Sequence, residues 1–142
     1  MLHTVAPFSA TEVQIQVEVL ESLRKEKDVV FAVCYHATGD DLSWDVGQTG
    51  SFREECEKAA DALVYITSYT REMGTMNLDK EVPLAGYTDW LNGDEIIPSV
   101  TIEIFPLEVF LAVDEPDIYD AWVANREVWA ALGDLYYEGE RR

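Results

Sequence analysis

The chain has 142 residues, 28 acids against ten lysines and arginines, a net charge of -18, and hydrophobic residues at 48%. That length suits one domain able to bury roughly two-thirds of its unfolded surface, and the hydrophobic share supplies a core, which excludes a disordered acidic tail. The charge argues against direct nucleic-acid binding, because phosphate contacts need lysine and arginine to release counterions, and it repels anionic membranes.

Cys34 and Cys56 are too few for a disulfide framework. No secretory leader pattern opens the chain, and no apolar run nears the roughly 20 residues of a membrane span. A cytoplasmic location is expected.

Ser9 and Glu12 form an S-x-x-E capping box, with Phe8 and Val13 placed as a hydrophobic staple, and a helix over 10–26 follows. Val13, Val17, Leu20 and Leu23, widened by Ile15 and Val19, make a broad apolar arc on it. The alternation of Val13, Ile15, Val17 and Val19 is a competing strand signal. Residues 29–36 are short, apolar and rich in strand formers, which predicts a buried strand. The turn cluster Thr38, Gly39, Asp40 and Asp41, followed by a strand over 42–48, suggests a β-hairpin.

Ser51 and Glu54 repeat the capping box, and Phe52, Cys56, Ala59, Ala60, Leu63, Val64 and Ile66 carry helical spacing, so a second helix is expected to end near Met73 with Gly74 as its stop. Residues 75–98, punctuated by Pro83, Gly86, Gly93 and Pro98, show no sustained period. Residues 99–113 alternate apolar and polar. As one straight strand they would extend roughly 50 Å, more than the about 35 to 40 Å across a compact domain of this size. The chain must bend, most simply at Pro106.

Asp114, Glu115, Pro116 and Asp117 then read as a helix N-terminus, and Ile118, Ala121, Trp122, Val128, Trp129, Leu132 and Leu135 recur at helical spacing toward Tyr137. The order predicts an α+β fold over 1–142: a single domain with a small, mostly antiparallel sheet of about four strands covered by about three helices.

The charge is uneven. Residues 81–125 hold ten acids, Glu81, Asp89, Asp94, Glu95, Glu103, Glu108, Asp114, Glu115, Asp117 and Asp120, and no lysine or arginine, so they carry -10 of the -18. The same stretch holds Tyr87, Trp90, Phe105, Phe110, Tyr119 and Trp122. Carboxylates steer a basic partner and aromatics anchor it. Tyr87 and Trp90 join the ten acids as the expected partner-binding set, while Phe105, Phe110 and Trp122 are expected in the core. In composition alone the stretch resembles phage and plasmid proteins that imitate the phosphates of DNA.

No catalytic or metal site is expected. The region 41–45 departs from a calcium loop at Ser43, Val46 and Phe52. Cys34, His36, Cys56 and His3 match no zinc spacing, and no phosphate-binding or nucleophile motif is present. The leading expectation is a non-catalytic protein without cofactor that binds a basic protein surface, including an inhibitor that imitates nucleic-acid charge on a nucleic-acid-binding protein. Two alternatives stand beside it: a small carboxylate-based or divalent-cation-dependent enzyme, and a subunit of a homo- or hetero-oligomeric assembly.

Overall fold

The computed structural model describes residues 10–45, 52–74, 87–93, 96–106 and 113–137. The chain divides into two compact units, Met1–Val30 and Phe31–Arg142.

The first unit contains helix α1, Thr11–Glu26. Glu12 lies in its first turn, Arg24 and Lys25 lie in its last, and each sign opposes the adjacent end of the helix dipole. The cap position is Ala10, with no side-chain cap bond, so the helix starts one residue later than Ser9 would set it; Ser9 itself lies outside the described residues. The apolar arc is only partly covered. Leu20 is buried, whereas Ile15, Val19 and Leu23, spaced by four, are exposed.

The second unit is built on a sheet of β1 (Ala32–Thr38), β2 (Asp41–Asp45), β3 (Thr70–Gly74) and β4 (Ser99–Phe105), in the order β1-β4-β2-β3. With α2 (Arg53–Thr67), α3 (Tyr87–Gly93), α4 (Glu115–Asn125) and α5 (Val128–Tyr137), the architecture is α+β. The sheet is mixed rather than mostly antiparallel: β1 pairs β4 in parallel, β2 pairs β3 in parallel, and only β2 with β4 is antiparallel. Five helices are described rather than about three.

The expected hairpin does not form, because β4 inserts between β1 and β2. Gly39 and Asp40 instead carry the chain past β4: the Gly39 N–H donates to the Phe105 carbonyl at 2.7 Å, and the Thr70 N–H donates to the Asp40 carbonyl at 3.0 Å. Asp40 takes a left-handed φ of 54° there, which aspartate tolerates better than most residues. The turn signal was real. What it could not show was a strand arriving from far along the chain to fill the gap, as the Ala32–Ser99 register does.

The second helix also ends earlier than expected. Ser68, at φ 62°, caps α2 with its N–H on the Val64 carbonyl, and the Thr67 hydroxyl bonds the Leu63 carbonyl. The next residues form β3 beside β2, so β2, α2 and β3 make a parallel crossover unit. The helix cap position is Phe52 without a side-chain bond; Ser51 lies outside the described residues.

Leu42 and Trp44 of β2 and Val100 and Ile102 of β4 are buried. Leu42 lies opposite both Ile102 and Arg71 in the register, and Arg71 pairs with Asp61 of α2, which places α2 over this face. Cys56, Ala59, Ala60 and Leu63 of α2, Leu91 of α3, Ile97, and Val128 and Leu132 of α5 are buried as well. On the opposite face Thr101 meets Thr88 of α3, hydroxyl to hydroxyl at 3.1 Å. At the start of β4 the Asn92 side chain both accepts from the Ser99 N–H at 2.8 Å and donates to the Ser99 carbonyl at 3.0 Å, and the Cys56 thiol donates to that carbonyl. These buried polar groups satisfy one another, as burial demands.

The final helical stretch is two helices, interrupted at Arg126 and Glu127. Its start matches the expectation. Asp114 accepts from the Asp117 N–H, and Asp117 returns the bond to the Asp114 N–H, a reciprocal capping box with Pro116 in the first turn.

Candidate partner-binding face

The expected acids fall into three groups. Glu81, Asp94, Glu95 and Glu108 lie outside the described residues, as does the Asp89 side chain. Glu103 lies on β4, on the Thr101 side of the sheet, 3.1 Å from the His36 ring on the neighbouring strand. Asp114, Glu115, Asp117 and Asp120 gather on α4. Tyr87 and Trp90 pack together on α3 with ring centroids 5.6 Å apart, both half-buried.

Of the four acids on α4, Asp114 and Asp117 serve the capping box. Glu115 stands four residues before Tyr119 and seven before Trp122, so the three share one ridge of the helix. That ridge faces outward. Tyr119 is 61% exposed, Ile118 58% and Trp122 56%, and α4 contributes no buried side chain. The expectation of a core Trp122 is therefore corrected. The less exposed positions are Asp117, Ala121, Ala124 and Asn125, which turn the opposite side of the helix inward and leave the large rings outside. Phe105 is half-buried; Phe110 lies outside the described residues.

Two aromatic relationships define the ridge. The Tyr119 and Trp122 centroids are 5.9 Å apart at an interplanar angle of 36°. The Arg126 guanidinium carbon sits over the Trp122 ring, 5.6 Å from its centroid. On α5, Trp129, Leu135 and Tyr137 are exposed as well. None of these three belongs to the expected site. The helical spacing of Trp129 and Leu135 is visible in the chain, but spacing locates a face without saying whether anything covers it.

The sheet positions α4 through one relay. Asn125 Nδ2 donates to the Tyr69 hydroxyl and to the Ala121 carbonyl, and the Tyr69 hydroxyl donates to the Ile104 carbonyl of β4. Burial raises the Tyr69 hydroxyl pKa, with the Asn125 bond opposing that shift. The phenol therefore stays neutral and able to donate at ordinary pH.

Cys34 and His36 share a sheet face, as expected from their spacing, but burial raises the Cys34 thiol pKa, so it is a poor nucleophile at neutral pH. Burial lifts Cys56 further, to about 11. Among the described residues no group of three or more His, Cys, Asp or Glu is placed to hold a metal ion, and no described helix is long and apolar enough to cross a membrane.

No protein-family model matches the chain, and no curated protein matches it. A crystal structure of thrombin activatable fibrinolysis inhibitor is similar in fold, with a TM-score of 0.60 at 17% sequence identity over 91% of this chain. The chain spans 33% of that protein. A likeness at this identity concerns the fold alone.

Proposed function

We propose that this is a non-catalytic interaction protein that engages a basic protein surface through the outer ridge of α4. The observation that carries the reading is the exposure of Ile118, Tyr119 and Trp122 on a helix with no buried side chain, beside Glu115 and Asp120. Large exposed apolar side chains in a cluster mark contact surfaces, and aromatics are the residues that anchor them. The surrounding acids select a partner of opposite sign. A second copy is a poor occupant, since two chains of net charge -18 repel each other. A nucleic-acid-binding protein suits this face well, because its phosphate-binding surface carries the complementary charge, and occupying that surface would inhibit it.

Titration of a lysine- and arginine-rich peptide, at low and then moderate ionic strength, tests the proposal. Affinity should fall with salt. Joint replacement Tyr119→Ala and Trp122→Ala should weaken binding about tenfold or more without lowering the melting temperature. Binding indifferent to salt, or equal binding by the double variant, would overturn it.

A further inference from the structure

Resting on the reading of α4 above, we propose that the Tyr119–Trp122 ring pair is an arginine-accepting site, which Arg126 occupies in the free protein and vacates when an arginine of a basic partner takes its place. The guanidinium of Arg126 already lies over the exposed face of Trp122, and the second ring stands 5.9 Å away on the preceding turn. Glu115, on the same ridge, supplies a carboxylate. Ring face, flanking ring and carboxylate are the features that recognise a planar, delocalised cation.

The grip on Arg126 is light. A cation over an exposed ring contributes about 0.5–1 kcal/mol, and the Arg126 Nε to Glu127 contact is 3.5 Å long between exposed side chains, a kind of pair that adds little. Arg71 makes the same contact with Trp44 at 4.9 Å, but there the ring is buried and the guanidinium is held by Asp61. That pair is structural. The Trp122 pair has the same chemistry on an open surface, between α4 and the residue that caps its C-terminus, where a second guanidinium can reach it.

Arginine should be preferred to lysine, because a guanidinium stacks flat on indole while its N–H groups still reach a carboxylate, whereas an ammonium is a compact, strongly hydrated point charge. Octa-arginine and octalysine carry equal charge, so long-range attraction treats them alike. Fluorescence anisotropy with the whole chain should show octa-arginine binding more tightly, by at most about 2–5-fold, the ratio equivalent to one exposed cation–ring contact before the displacement of Arg126 is subtracted.

Trp122→Ala should abolish that preference and leave salt-sensitive octalysine binding in place; a generic stickiness of arginine would survive the change. Arg126→Gln should tighten octa-arginine binding more than Arg53→Gln, which removes the same charge from α2. Equal, salt-sensitive binding of both peptides overturns the arginine site and leaves the proposed function standing. A preference that persists in Trp122→Ala overturns the site as well. Failure of either peptide to bind overturns both.

Discussion

Asn125 Nδ2 lies 2.9 Å from the Tyr69 hydroxyl, which in turn lies 3.0 Å from the Ile104 carbonyl. This relay ties a helix with no buried side chain to β4, an inner strand of the sheet. Tyr69→Phe removes the one group that serves both bonds and should lower stability by about 1–2 kcal/mol in urea unfolding. The loss should be local: amide exchange in α4 should accelerate more than in α2. Uniform acceleration across both helices would contradict a tether role.

Gly39 is required for space. A Cβ there would stand 2.8 Å from Glu103 Cβ and 2.5 Å from Asp41 Oδ2, and Glu103 Cβ, fixed to the strand, cannot swing aside. Gly39→Ala should therefore destabilise the fold by about 1–3 kcal/mol. An unchanged denaturation midpoint would show that the crossing past β4 is looser than this.

Gly133 offers the opposite case. It lies within α5, and an added Cβ meets nothing within 4 Å. Gly133→Ala should stabilise the protein by about 1 kcal/mol, read as a raised melting temperature. Ser68→Gly should act in the same direction by about 0.5–1 kcal/mol, because Ser68 holds a left-handed cap at φ 62° and only glycine enters that region without a side-chain clash.

The Cys56 thiol makes stability fall at alkaline pH. Its folded pKa is raised from 9.0 to about 11, chiefly by burial. Below the unfolded value the thiol is protonated in both states and its contribution is fully present. As pH rises from there through the folded value, the unfolded chain ionises first, and about 2–3 kcal/mol is lost. The buried Tyr69 and Tyr136 hydroxyls, whose pKa values are also raised, add to the decline in any variant that keeps them. Cys56→Ser removes only the thiol titration. The stability difference between the wild type and this variant should therefore shrink across that window, and a constant difference would count against the shift.

Much of the local structure was legible because its causes are close together in the chain. Asp114, Pro116 and Asp117 announced the start of α4 through capping chemistry that spans four residues, and the capping box is present. Residues 70–74 were not legible. Thr-Arg-Glu-Met-Gly carries no strand alternation of its own and continues a helical run without a break; it becomes β3 by pairing with β2.

The candidate site divides in the same way. The acidic bias of 81–125 is a property of composition, visible to anyone who counts charges. Its distribution in space is not: Glu103 sits on the sheet beside His36, whereas Glu115 and Asp120 accompany the rings of α4.

Charge balance, the start of α4 and the strand-forming character of β1 and β4 therefore follow from the order of residues alone, since each depends on neighbours within a few positions. The insertion of β4 between β1 and β2, and the outward turn of Trp122, belong to the tertiary structure. Strand pairing joins residues far apart in the chain, as Ala32 and Ser99 do, and a helical period shows which side chains share a face without showing what packs against it. On α4, Asn125 bonds to Tyr69 and draws the opposite side inward, which leaves Tyr119 and Trp122 facing out.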